Sequence, residues 1–223
     1  MPRAMAAGAI ALLFGCGLAL AQVPPVAPAD DADVMRGVAA YSARDYAQAV
    51  RFFRVASDRG VPIAQFNLAV MLINGEGVAA DPDASIALLR RSADAGVARA
   101  QFALGAFYDR GEHVPKSAEL ATSWYEKAAA QGWLPAQMAA ATQYLLGRGV
   151  KRDLARAAHW YERAAEQGDE GACYIIASFY ENGDGVARDL AKALYWYLQS
   201  AAAGDHAAGI KAKQIYEKLR GGS

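Results

Sequence analysis

Cysteine and histidine are scarce in this chain, net charge is absent, and no long apolar run follows residue 20; each shortage removes a class of function. The 223 residues include two cysteines and three histidines. Cys16 falls in an N-terminal apolar stretch, so a chain processed beyond it keeps only Cys173, which has no partner for an internal disulfide. Packing alone must then hold the fold, and Cys173 reads as a buried structural thiol. His113, His159 and His206 are scattered, with no cysteine or carboxylate at ligand spacing, so no metal site is expected. Lysine and arginine number 23, matched by 23 acidic residues, and neither sign forms a run or stripe, which speaks against nucleic acid as a partner. Gly-x-Ser-x-Gly, Ser-x-x-Lys, phosphate-binding glycine loops and paired cysteines are missing too. The expectation is a protein that is not an enzyme and needs no cofactor.

The one apolar run, Ala4 to Leu20, follows Arg3 and ends in Ala19-Leu20-Ala21 before Gln22. Signal peptidase admits only small side chains at the first and third places of such a triplet, so residues 1–21 read as an export signal. A membrane span needs roughly 20 apolar residues; this run is shorter and broken by glycines, so the mature chain is expected to carry no span. Leu13-Phe14-Gly15-Cys16 offers an alternative, a lipid anchor through Cys16, although Phe14 fits an acylation site poorly. The expected location is outside the cytoplasm, in the periplasm. Residues 22–32, with three prolines and no periodic apolar face, read as a disordered linker.

What the chain has in plenty is a period. Gly60, Gly96, Gly132, Gly168 and Gly204 stand 36 residues apart with no insertion. Ala64, Ala100, Ala136, Ala172 and Ala208 keep step, as do Leu72, Tyr108, Tyr144, Tyr180 and Tyr216. Gly75, Gly111, Gly147 and Gly183 follow, and then Val78, Val114, Val150 and Val186. A repeat of this length signals units that bury their apolar faces by stacking on one another. In the third unit Ala136, Gln137, Ala140, Ala141 and Tyr144 share one face of a first helix. Gly147 should end that helix in the left-handed conformation, Val150 should anchor the loop, and Asp153 should cap the second helix. Ala157, Trp160, Tyr161, Ala164 and Ala165 then form a single face of that second helix. Trp124-Tyr125, Trp160-Tyr161 and Trp196-Tyr197 read as core packing between units.

Ala100-Gln101, Leu104-Gly105, Tyr108, Gly147-Arg148-Gly149-Val150, Asp189, Lys192-Ala193 and Trp196-Tyr197 together resemble the Sel1-like repeat, a relative of the tetratricopeptide repeat. The resemblance covers four full units, from about Ala64 to Ala203. Leu88-Leu89 stands where other units have Trp-Tyr, His113 replaces a loop glycine, and Ser117 replaces the capping aspartate. The fold implied is all-α, a right-handed α-solenoid of stacked helix-turn-helix repeats over 33–220. A degenerate first unit takes 33–59, full units take 60–95, 96–131, 132–167 and 168–203, and a capping helix takes 204–220.

Exported members of the resembling family act as adaptors, and the resemblance implies the same here. The expected protein is a monomeric adaptor or regulator in the bacterial envelope, holding an unidentified protein or peptide on a concave face lined by first helices. The alternative is an accessory scaffold of envelope polysaccharide or peptidoglycan machinery. A β-lactam-binding or hydrolysing relative is less favoured, since the repeated cysteine pairs of such proteins are missing. Positions seven and fourteen after the period glycine supply candidate binding residues, Asn67, Asn74, Arg110 and Asn182, whose amides and guanidinium could hold a peptide backbone or carboxylate. Trp133 is added as an aromatic at a variable place near a helix start.

Overall fold

A computed structural model of the protein describes residues 31–221. The expected signal peptide, its cleavage before Gln22 and the acylation alternative at Cys16 all lie outside the described residues. The eleven helices described are α1 (Ala32–Ser42), α2 (Tyr46–Asp58), α3 (Pro62–Asn74), α4 (Pro82–Asp94), α5 (Ala98–Arg110), α6 (Ala118–Ala130), α7 (Leu134–Leu146), α8 (Leu154–Glu166), α9 (Glu170–Asn182), α10 (Leu190–Ala202) and α11 (His206–Gly221). No strand occurs among the described residues, so the fold is all-α.

Short polar side chains start most of these helices by accepting the first free amides. Asp31 does so for α1, taking the Asp33 and Val34 amides at 3.0 Å each; helix therefore begins just inside the segment expected as linker. Asp153 accepts from Arg156 at 3.0 Å, as expected, and Ser117 does the same job for Leu120 at 3.2 Å despite the lost carboxylate. The first helices end on glycine. Gly75, Gly111, Gly147 and Gly183 adopt φ of 69°, 74°, 69° and 83°, the left-handed region in which a Cβ would crowd the following carbonyl oxygen. Each loop then closes on the repeating tyrosine or leucine column, the amide of Asp81, Ser117, Asp153 or Asp189 reaching the carbonyl of Leu72, Tyr108, Tyr144 or Tyr180 at 2.9–3.0 Å.

The loop's second glycine is under a harder constraint than its first. A Cβ on Gly149 would collide with the Ala118 carbonyl group and the Glu119 amide, at the start of the preceding repeat's second helix. Gly185 meets Leu154 and Ala155 in the same way. His113 holds this place in the second full repeat at φ 56°, with its ring edge-on to Phe107 at 5.8 Å. It is a turn residue that accepts left-handed backbone.

The described residues divide into two compact units, with the boundary between Arg91 and Ser92. In the first, α1, α2 and α3 pack around Val34, Ala49, Phe53, Ala56, Ala64 and Leu68. Gly37 admits the Phe53 ring, which would stand 2.5 Å from any added Cβ. Arg59, at the end of α2, pairs with Asp33 at 2.6 Å and Asp31 at 2.9 Å, tying the two helices together.

In the second unit successive helices pack in order from α5 to α11. Alanines make the close approach possible, with Ala136, Ala140, Ala157, Ala164, Ala172 and Ala193 fully buried. The tyrosines of the aromatic pairs are the deep members: Tyr125 is 5% exposed, and Tyr161 and Tyr197 are fully buried. Of the tryptophans only Trp196 is buried, at 9%; Trp124 and Trp160 are partly exposed. Both were expected in the core, but they lie at the edge of the buried stripe, whose centre runs along Ala157, Tyr161 and Ala164. Trp160 still packs against two neighbouring clusters of buried residues.

Candidate protein-binding faces

Polar side chains in the second unit are used first to join one repeat to the next. Tyr144 donates to Glu126 at 2.6 Å, and Arg156 reaches the same oxygen at 2.7 Å while its guanidinium lies 4.3 Å from the Tyr144 ring centroid. One repeat on, Tyr180 donates to Glu162 at 2.7 Å and Lys192 lies 4.9 Å from the Tyr180 ring. Burial, then the adjacent Glu162 carboxylate, pushes the Tyr180 phenol up to about 12. A second ladder runs through glutamines. Gln131 donates to Gln101 at 2.8 Å, and Gln101 to the Ala93 carbonyl at 3.0 Å. Gln167 donates to Gln137 at 2.7 Å, and Gln137 to Ala129 at 3.4 Å. Cys173, in the same column, offers its thiol to Ala165 at the longer 3.7 Å. It is 3% exposed, and burial pushes its thiol up. That is the buried structural thiol expected.

The tyrosine–glutamate–cation triads are not foreseen by any motif in the sequence. Their signal is present as charged columns in step with the period, Glu126 with Glu162 and Arg156 with Lys192.

At the far end of the second unit, Glu181 takes three partners: Tyr197 at 3.0 Å, Lys211 at 3.1 Å and Lys218 at 3.6 Å. Burial pulls this carboxyl upward, but the Lys211 and Tyr197 hydrogen bonds and the two lysine charges outweigh it and hold it below the usual glutamate value. Lys211 and Lys218 thus brace the capping helix rather than form a separate docking site.

The five candidate binding residues differ in depth and in their place along the first helices. Asn67 is 2% exposed and belongs to the packing of α3. Position seven was expected to miss the packed columns, but it stands three residues after Ala64 and shares its face; Ala103 in the same column is 4% exposed. Asn74 is partly exposed, at the last residue of α3, and its Nδ2 is buried without a hydrogen bond. Arg110 is exposed at the last residue of α5, paired with Glu112 at 2.8 Å and 5.8 Å from the Phe107 ring. Asn182 is exposed at the last residue of α9 and donates to Ser178 at 3.3 Å. Leu146, 38% exposed, holds the equivalent place at the end of α7. Trp133 sits at the other end of the first helices, as the capping residue of α7. It is partly buried under the Arg99 guanidinium at 4.9 Å, with its indole N–H buried and unbonded.

Among the described residues no helix is long and apolar enough to cross a membrane, and no group of three histidine, cysteine or carboxylate side chains could hold a metal ion.

Comparison with known proteins accounts for this repeating architecture. The Sel1 repeat profile matches residues 35–61, 62–97, 98–133, 134–169 and 171–205. The chain belongs to the Sel1 repeat family, whose members are generally protein-interaction scaffolds. It is similar to a Sel1 repeat protein from Oxalobacter formigenes, at 32% identity over 82% of this chain and 75% of that one, with a TM-score of 0.75. It is also similar to a protective antigen of uropathogenic Escherichia coli strains, at 35% identity and a TM-score of 0.71. That match covers 78% of this chain but only 37% of the antigen. No protein of curated function is similar enough to count as a relative.

Proposed function

We propose that the protein is a non-enzymatic adaptor of the bacterial cell envelope, holding a protein or peptide partner on its first-helix face. The observation that carries this reading is a division of labour between columns. Glycine and alanine columns keep one geometry from repeat to repeat, while the residue ending each first helix changes from Asn74 to Arg110, Leu146 and Asn182. A scaffold that presents different side chains at equivalent places is suited to recognising an extended partner of mixed chemistry. Export is supported by Arg3, the apolar run that follows it and the Ala19-Leu20-Ala21 triplet.

The test is a photo-crosslinking amino acid placed in the full-length protein, in cells, at Arg110 or at Asn182, with an exposed helix position such as Glu119 as control. A discrete crosslinked protein of the same mass from both row positions, and none from Glu119, supports the adaptor reading. Mass spectrometry of the purified protein should find Gln22 at its N-terminus. An uncleaved, cytoplasmic chain overturns the envelope assignment.

A further inference from the structure

The fourth full repeat has a neutral side chain where the second full repeat sets a cation on the equivalent tryptophan. In the second full repeat, Lys127 Nζ stands 3.7 Å from the centroid of the Trp124 ring. One period on, these places hold Trp160 and Arg163; two periods on, they hold Trp196 and the neutral Gln199. The same repeat also breaks the glutamine ladder. Gln101 and Gln137 become Cys173, and their donors Gln131 and Gln167 become Ala203, both shorter side chains.

A pocket of about 400 Å³ opens here, lined by Glu166, Glu170, Cys173, Tyr195, Trp196 and Gln199 among others. Cys173 and Trp196 are nearly closed off, whereas Tyr195 is 53% exposed beside the Trp196 ring, their centroids 4.9 Å apart. Its charge is acidic. Glu166 shares its carboxylate with Arg163 at 3.4 Å, in a pair more than half exposed on both sides. Burial chiefly, and then the Asp169 and Glu170 carboxylates, push the Cys173 thiol up. An aromatic face rimmed by carboxylates attracts an organic cation.

We infer that this pocket takes a lysine side chain from a protein partner, its ammonium over Trp196 and beside Glu170, its alkyl stem against Tyr195. The protein's own Lys127 on Trp124 is the template. This rests on the adaptor reading and specifies one chemical element of the partner.

The experiment titrates the full-length protein with the peptide acetyl-Gly-Lys-Gly-amide and follows the four tryptophan indole N–H resonances by NMR. Saturable movement of the Trp196 signal is expected, with little movement for the same peptide carrying Nε-acetyllysine. Gln199→Lys should weaken binding at least tenfold by supplying the missing cation internally, and Glu170→Gln should weaken it several-fold, each with an unchanged melting temperature. Equal response to the acetylated peptide, or full binding by both folded variants, overturns the inference. Tighter binding of spermidine than of the lysine peptide overturns the assignment to a protein partner. Loss of these responses while crosslinks at Arg110 and Asn182 persist refutes the pocket alone and leaves the adaptor reading standing.

Discussion

Tyr144 gives its hydroxyl hydrogen to Glu126 across 2.6 Å, bonding the first helix of one repeat to the second helix of the repeat before it. The bond recurs from Tyr180 to Glu162 at 2.7 Å, and Arg156 and Lys192 repeat the cation beside each ring. Since a solenoid's stability is a sum of unit and neighbour terms, a latch of this kind acts on the interface between repeats while leaving each helix pair intact.

Tyr144→Phe should therefore lower unfolding stability by about 1 kcal/mol, the usual net worth of one hydrogen bond. Urea unfolding of the purified protein measures it. No change in midpoint would show the latch to be ornamental. The matching alkaline behaviour follows from Tyr180, whose folded value near 12 lies above the ordinary 10.0. Its contribution is complete below pH 10.0 and is lost as pH rises through about 12.

The aromatic pairs separate by depth. Tyr161 is fully buried and meets Thr142 through its hydroxyl at 3.2 Å, whereas Trp160 is partly exposed. Tyr161→Ala should cost about 3–5 kcal/mol, the range for a large aromatic removed from a core, and Trp160→Ala clearly less. Thermal melts of the two variants rank them, and the reverse order would mean that Trp160's contacts with two clusters outweigh its exposure.

This difference marks how far the sequence could be read. Period, helix ends and capping residues are local, set by Gly147 at φ 69° or by Asp153 on the Arg156 amide, and they are legible because each needs a particular residue type. Depth of burial is not local. Trp160 and Tyr161 are adjacent and equally apolar in pattern, and only the neighbouring repeat decides which points inward. Asn67, three residues after Ala64, lies on the same buried face, so its amide serves packing and not a ligand. The pocket beside Trp196 depends on side chains that are shorter than their counterparts one period away, and a motif search passes over such a gap.

The loop glycines should respond unequally. Gly147 and Gly149 both have positive φ, at 69° and 66°, so alanine at either pays the left-handed penalty of about 1–2 kcal/mol. A Cβ on Gly147 meets Arg152 Cβ at 3.2 Å, where a small shift relieves it, while on Gly149 it strikes the Ala118 backbone. Gly149→Ala is expected to be the more damaging, separating the loop from α6 and releasing the Thr122 hydroxyl bond to the Arg148 carbonyl, now 3.0 Å. Hydrogen exchange at the α6 N-terminus, together with melting, tests it, and equal losses for the two alanine variants would remove the close approach as a cause.

Acid should loosen the capping helix α11. Glu181 is held below its ordinary value of 4.5 by Lys211, Tyr197 and Lys218, against the upward pull of burial. A carboxyl with a depressed folded value contributes stability above its unfolded value and loses it as pH falls through the folded one. The stabilising effect is therefore full at neutral pH and declines once pH drops below 4.5. Glu181→Gln removes the charge that Lys211 and Lys218 share, so the variant should melt below wild type at pH 7 and approach it in acid. Amide exchange along residues 206–221 should show the same convergence, because these two lysines belong to that helix. A gap between the two proteins that stays constant from pH 7 to pH 3 would mean that packing of Ala208, Ala212 and Ile215 holds the helix and that the charges around Glu181 contribute nothing.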